Sequence, residues 1–415
     1  MEHRPRITRV VLENYKSIAF CDVRLNPLTI LVGPNGAGKS NFLDALRLLS
    51  EAMKVPIEEA LQMRGGFEQV LRRDNVRHFG FRIEFATANG TLGYYSIRLE
   101  KVTAGEYQLA REKCFVGGDF YEFDEGVHPT RSDTGFTAVL RGNRERLTPP
   151  LNTRQLALFL PLMATYPEFS AVYSLLLHLR FYNFETRELR RPSNDVDANL
   201  ILRADGGNLA NVFHGLGIRD HVRSLLPDTT SEGGRVLQYL RVIVPDLTDV
   251  ETASFGGLRP FQFLMRNSDQ PFNASQMSDG TLRSLAVLVA LFQGVPAGRM
   301  VTGVGLEEPE TALHPAAVGV LLDAMREASA SVQVIATTHS ADLLDKKDVD
   351  TDAILAVELV DGTSRIGHVD ETGRQALRER LYTAGELMRM NYLRPESQPP
   401  QSQIGRLLFE DLVPV

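Results

Sequence analysis

Leu28-Thr29-Ile30-Leu31-Val32 is an almost unbroken apolar run. A run of that length predicts a strand covered on both faces, as at the centre of a parallel sheet. Before it, residues 7–12 and 19–25 read as two strands joined by a turn at Asn14-Tyr15-Lys16-Ser17. After it, residues 41–53 set Phe42, Leu43, Leu46, Leu49 and Met53 along one side of a helix that Pro56 limits. Between Phe79 and Phe123 the period falls to two: Phe81, Ile83 and Phe85 alternate, as do Tyr95, Ile97 and Leu99. With hairpin turns at Asn89-Gly90 and Gly117-Gly118, this predicts a half-buried antiparallel sheet.

Residues 124–150 are polar and read as a long loop. The pattern then turns helical, at residues 156–162, 169–181, from Leu209 after Asp205-Gly206-Gly207-Asn208, and at 231–244. From Thr281 it becomes α/β. Leu282, Leu285, Leu288, Val289 and Phe292 share a helix, followed by a strand at 301–306, a helix at 315–328 and a strand at 332–337. A last hairpin, 354–360 with 365–369, turns at Asp361-Gly362. No heptad run is long enough for a coiled-coil arm. Four units are expected: 1–150 with the first part of an α/β core and a β lobe, an inserted helical lobe at 151–275, the rest of the core at 276–394, and a linker with an apolar tail at 395–415. The apolar tip at 404–409 either packs back on its own domain or serves as a docking peptide.

The buried strand runs into Gly33-Pro34-Asn35-Gly36-Ala37-Gly38-Lys39-Ser40. This is the full phosphate-loop pattern between a strand and a helix. Gly33, Gly36 and Gly38 let the backbone turn its N–H groups inward. Lys39 reaches the β- and γ-phosphates, Ser40 is a magnesium ligand, and the helix start adds its positive end. The cofactors implied are ATP and Mg2+. Leu306-Glu307-Glu308 ends a later apolar strand. Phosphoryl transfer to water needs one carboxylate for the metal and one to orient the water, assigned here to Glu307 and Glu308. His339 ends another strand, at the sheet edge where α/β ligand sites lie, and is placed to sense the γ-phosphate. His314 lies near a dimer seam or caps the next helix. Ser278-Asp279-Gly280 opens an apolar helix, a second anion-binding helix end. With one phosphate loop already present, Ser278 and Gly280 make sense if they reach ATP held by a second copy, in a closed homodimer.

Composition narrows the rest. Hydrophobic residues are 43% of the chain and the formal net charge is -7. That excludes a broadly cationic nucleic-acid coat but not a local basic groove. Cys21 and Cys114 match no metal or disulfide spacing and read as small buried hydrophobes. No apolar run is long enough to span a bilayer and no apolar signal segment opens the chain, so no membrane partner and a cytoplasmic location are expected. Arg141, Arg144 and Arg146, and Arg187, Arg190 and Arg191, form basic clusters without a base-reading motif.

Taken together, these motifs resemble the ABC-type ATPases of the SMC/RecF class, and more closely the bacterial AAA family ATPases related to the ATPase half of OLD nucleases. The residues that carry the likeness are Asn14 to Ser17, Gly33 to Asn41, Ser278 to Arg283, Glu307 to Pro315 and Thr338-His339-Ser340. The resemblance implies a P-loop NTPase with an ABC-ATPase-like core, an antiparallel β lobe and an inserted helical lobe. It also implies that Asn35 and Asn41 belong to the nucleotide site, and that Ser278 and Gly280 contact the γ-phosphate in trans. It calls for a coupling glutamine, for which Gln69 is the candidate, with Arg64, Arg72 and Arg73 as candidate phosphate-facing arginines. A Toprim nuclease domain has no room after residue 370. The expected function is an ATP-hydrolysing switch that acts on DNA, or on a separate effector protein, in repair or phage defence. Alternatives are a regulatory scaffold for a toxin or nuclease partner, and a transporter-associated ATPase.

Overall fold

The computed structural model describes residues 4–74, 76–103, 105–124, 136–140, 143–147, 156–159, 166–194, 200–216, 231–293, 300–345, 349–397 and 407–409. Strands β1 (Arg6–Tyr15) and β2 (Ile18–Arg24) pair antiparallel, and β3 (Leu28–Val32) is buried at every position. Helix α1 (Lys39–Glu51) follows, then the short α2 (Ile57–Gln62) and α3 (Phe67–Val70). Strands β4 (His78–Ala86), β5 (Leu92–Thr103), β6 (Glu106–Val116) and β7 (Asp119–Asp124) make an antiparallel meander.

The polar stretch expected to be a long loop contains a hairpin, β8 (Phe136–Leu140) and β9 (Asn143–Leu147). Thr137, Ala138 and Val139 pair with the edge of β7, which overrides the polar surroundings. The side chains of Arg144 and Arg146, and all of Arg141, lie outside the described residues.

Helix α4 (Pro167–Leu177) stops short of the expected 169–181. Its last expected residues form instead β10 (Leu179–Tyr182), which pairs parallel with a core strand. The stretch 151–275 is thus not only helical. Along with α5 (Thr186–Leu189), α6 (Leu209–His214) and α7 (Glu232–Ile243), it holds β11 (Ser193–Asn194) paired with β13 (Leu258–Arg259). A three-stranded sheet forms from β12 (Leu247–Thr252), β14 (Phe261–Met265) and β15 (Phe272–Asn273).

The chain then gives α8 (Asp279–Phe292), β16 (Gly303–Glu307), α9 (Pro315–Ser329), β17 (Gln333–Thr338), β18 (Ile354–Val360), β19 (Thr363–His368), α10 (Glu371–Arg378) and α11 (Ala384–Arg389). With 15 residues, α9 is the longest described helix, far short of a coiled-coil arm. One fourteen-stranded sheet organises the molecule, in the order β10-β16-β17-β3-β18-β19-β2-β1-β4-β5-β6-β7-β8-β9. From β10 to β18 it is parallel, and from β1 to β9 antiparallel.

Alternation along β3 shows how both faces are used. Leu31 joins a core with Phe42, Leu46 and Leu49 of α1 and with the β1–β6 meander. Leu28, Ile30 and Val32 point the other way, into a core with Leu285 and Leu288 of α8 and Leu321 and Met325 of α9. Two-sided burial is why this strand reads as continuous rather than alternating. Cys21 and Cys114 are fully buried.

The described part of the tail tip, Leu407 to Phe409, packs back on the chain's own sheet. Leu408 and Phe409 are buried against Val11 and Phe20 on the outer face of the meander. The Leu408 carbonyl accepts from Ser96 Oγ and from Arg82 Nη1, and the Arg111 guanidinium lies 4.3 Å from the Phe409 ring centroid. Large side chains next to an open sheet face gain more by packing there than by waiting for a partner. The described residues hold no helix long and apolar enough to cross a membrane.

Candidate functional site

Strand β3 lies between β17 and β18, and its carboxyl end delivers the glycine loop between theirs. Gly33 passes so close to β18 that a Cβ there would sit 2.0 Å from the Val357 carbonyl oxygen. Gly38, at φ 108°, is the N-cap of α1, and a Cβ would meet Ser364 Oγ at 2.1 Å. At Gly36, φ 76°, a Cβ would point into open space. Backbone N–H groups at a helix start, with an ammonium and a hydroxyl, make a donor set that fits a polyphosphate. Lys39 is 5% exposed and its Nζ donates to the carbonyls of Gly33 (2.8 Å) and Pro34 (3.0 Å). Burial pulls the Lys39 ammonium below the usual lysine range, while Glu308 and Glu310 work the other way. Ser40 and Asn35 are exposed on the loop. Asn41, one residue on, donates from Nδ2 to Ser17 Oγ at 2.7 Å.

Beneath the loop the Asn14–Ser17 turn forms a foundation. Asn14 and Lys16 take positive φ, 56° and 49°. Ser17 Oγ is 2.6 Å from Ser364 Oγ. Asp44 of α1 accepts from Tyr15 Oη (2.6 Å), Lys16 Nζ and Arg64 Nε (2.9 Å). Burial works to raise the Asp44 carboxyl, but Arg64, Lys16 and Tyr15 outweigh it and hold the group below the usual range. Arg64 also pairs with Glu51, so its guanidinium is spent on α1 and does not face a phosphate. That removes Arg64 as a phosphate-facing arginine. Arg72 donates to the Ser17 carbonyl (3.0 Å) and to Thr363 Oγ1 (2.8 Å), while Arg73 is exposed. Gln69 is exposed on α3, with no side-chain hydrogen bond to the loop among the described residues.

Glu307 ends β16 opposite Thr337 of β17 and is half-buried. The chain then turns sharply. Glu308 has φ 45°, a strained value for a non-glycine residue, held by its N–H donating to the Thr337 carbonyl at 3.0 Å. The turn aims Glu308 at the next strand end, where its Oε1 lies 3.1 Å from His339 Nδ1. Both side chains are about two-fifths exposed, open to a reactant. The sequence reading stopped at two acids and missed the third. Glu310 is 6% exposed; its Oε1 accepts from Thr338 Oγ1, and Oε2 has no hydrogen-bond partner among the described residues. Burial pushes its carboxyl above the usual range, partly opposed by Thr338. The Thr338 hydroxyl also accepts from Ser340 N (2.9 Å), so Glu310 braces the backbone on both sides of His339. The signal was present in the sequence: an acid two residues past Glu308, fixed by Pro309.

Ser278 caps α8, accepting from Thr281 N at 3.2 Å, and is exposed. Gly280 packs so closely that a Cβ would sit 2.3 Å from the Ala312 carbonyl oxygen. The helix start is thereby set against the loop that follows the acidic strand. Arg283 of α8 feels Glu308 and Glu310, although burial is the larger influence and lowers its basicity. His314 is exposed just before α9, which opens on Pro315. Arg190 pairs with Asp279 and Arg191 with Glu188, so neither offers a free cation for nucleic acid.

A glycine loop after the central strand, acids and a histidine at the neighbouring strand ends, and a capped serine helix beside them define a P-loop NTPase with an ABC-ATPase-like core. Two sequence families match the chain: "AAA ATPase domain" over residues 6–92, and "AAA domain, putative AbiEii toxin, Type IV TA system" over 153–345. Both matches are to AAA-type ATPase domains; the first takes in the phosphate loop, and the second takes in Ser278, Glu308 and His339. The DNA replication and repair protein RecF of two Vibrio vulnificus strains is 39% identical over 44 residues. That stretch is 10% of this chain and spans only 12% of those relatives. Among solved structures, an SMC head bound to the C-terminal winged-helix domain of ScpA is 14% identical at TM-score 0.49, covering 89% of this chain and 99% of that one. The Thermotoga maritima SMC head domain is 13% identical at TM-score 0.43, covering 88% and 99%.

Proposed function

We propose that this chain is an ATP-binding and ATP-hydrolysing switch that closes as a homodimer around ATP and passes its state to DNA or to a separate effector protein. The observation that carries the chemistry is the strained turn at Glu308, which sets that carboxylate against His339 one strand from the phosphate loop. In this reading the loop N–H groups and Lys39 bind the phosphates, and Lys39 exchanges its carbonyl partners for them. Ser40 and Glu307 are the residues that would hold Mg2+, which when bound neutralises phosphate charge. Glu308 accepts the proton of the attacking water, and His339 holds that carboxylate in place and contacts the γ-phosphate. The exposed hydroxyl of Ser278 and the α8 start are free to meet the ATP of a second copy.

Direct nucleotide titration and phosphate release test this. Lys39→Ala should weaken ATP binding at least tenfold. Glu308→Gln should keep binding and lose most turnover. Full turnover in Glu308→Gln defeats the assignment of the water-orienting residue, and unchanged affinity in Lys39→Ala defeats the site itself.

The match over residues 153–345 to a family described as a putative toxin of a type IV toxin–antitoxin system favours a second reading, a regulatory ATPase within such a system. Growth arrest on expression, relieved by Lys39→Ala, would support it. Repair and phage defence remain the settings for the first reading, which the short RecF likeness supports on the DNA side.

A further inference from the structure

Away from the phosphate loop, a cavity of about 160 Å³ opens between the last turns of α1 and strand β10. Arg47, Lys54 and Arg180 line it, with Glu51, Phe181 and Tyr182. Three cations thus share one small space with a single carboxylate, and that carboxylate is drawn away: Glu51 Oε2 accepts from Arg64 Nη1. None of the three cations has a carboxylate within ion-pair distance among the described residues. Their hydrogen bonds are to carbonyls. Arg180 Nη1 donates to Leu177 (2.8 Å) and Leu179 (3.0 Å), and Arg47 Nη2 donates to Phe181 (3.4 Å). Carbonyls orient a guanidinium without neutralising it, and each arginine keeps N–H groups to spare.

The cations disturb one another. Lys54, at the exposed rim, is lowered to about 8 by burial and by Arg180 and Arg47, against Glu51. His178, next to β10, is lowered by burial and by the same Arg180 and Lys54. The carboxyl end of α1 contributes a partial charge of only about −0.5, too little to offset three. An arrangement that crowds like charges costs stability unless an anion joins it.

We propose that this cavity is a second oxyanion site, which takes a phosphoryl group independently of the phosphate loop. Two planar guanidinium groups beside an ammonium match the oxygens of a phosphate monoester or diester. The group can come from free phosphate or a mononucleotide, or from the backbone of a nucleic-acid strand.

The test uses the full chain with Lys39→Ala, which silences the phosphate loop. Inorganic phosphate, AMP and a short single-stranded oligonucleotide are titrated calorimetrically at fixed ionic strength. Saturable binding of at least one probe is expected, weakened tenfold or more by adding Lys54→Glu, and likewise by Arg180→Gln. Lys54 is exposed, so its variant keeps the test valid if Arg180→Gln fails to fold. Binding of inorganic phosphate and AMP identifies a free-phosphate source. Binding of the oligonucleotide alone, falling with added salt, identifies a nucleic-acid backbone. No saturable binding of any probe, or binding unchanged by Lys54→Glu, overturns the proposal. Because Lys39 is already replaced, either result is separable from the fate of the ATPase reading.

Discussion

Glu310 shows how much one side chain can concentrate. It is a buried carboxyl with one oxygen on Thr338 and the other without a partner among the described residues. Burial raises its pKa, so its charged form costs stability. The sign follows directly: in the unfolded chain it loses its proton at lower pH, so its stability cost is absent in acid, grows as pH rises past the ordinary carboxylate range, and levels off above the folded value. Glu310→Gln should therefore raise the melting temperature at pH 8 and leave it nearly unchanged at pH 4. Turnover should still fall several-fold at both, because the brace on His339 is altered. Equal shifts in melting temperature at the two pH values would refute the argument. Sequence alone marked Glu307, Glu308 and His339 as candidates, because strand ends and apolar runs are local patterns. It could not show that Glu308 takes a strained turn, or that Glu310 and not a solvent molecule holds Thr338, since both depend on packing across strands.

At the scale of elements, α1 is anchored at both ends. Its first turn rests on the Asn14–Ser17 turn, with Asp44 collecting Tyr15, Lys16 and Arg64. Asp44→Asn removes the countercharge from two cations at once. The pairs retain some solvent and Arg64 keeps Glu51, so the expected loss is about 2–3 kcal/mol, below that of a fully buried pair. Because the Asp44 pKa is lowered, the stabilisation is present above the usual carboxylate range and is lost as pH falls through the folded value. Urea midpoints for wild type and variant should differ clearly at pH 7, and the difference should shrink as pH falls below the ordinary carboxylate range. A constant difference would mean that the charge is not responsible. The same scale marks where sequence reading ended early. The helix expected over 169–181 gave way at His178 because β16 offers Leu179 to Tyr182 a strand partner, and no local pattern reports a partner more than a hundred residues on. The hairpin at β8 and β9 escaped notice for the same reason. The phosphate-loop strand was legible because its burial on both faces leaves an unbroken apolar run.

For the whole molecule, the proposal requires two copies. Ser278 is exposed at the start of α8, and among the described residues its hydroxyl is used only within its own helix cap. Ser278→Arg should prevent ATP-dependent closure by bulk and by an unmatched charge, while nucleotide affinity stays within about threefold. Light scattering with Glu308→Gln and ATP should show dimers, and with Glu308→Gln plus Ser278→Arg only monomers. Dimers in the double variant would place the contact elsewhere. The sheet itself has a consequence in time. Strand β3 carries the nucleotide loop, yet its neighbours β17 and β18 are made from the last third of the sequence. Gln333 grips the backbone of Ile7, 326 residues away in sequence, and Leu408 closes over Val11. On a ribosome, the loop emerges long before the strands that flank it, which lie far downstream in sequence. A nascent chain that has not yet reached β17 therefore has the nucleotide motif without the strands that hold it.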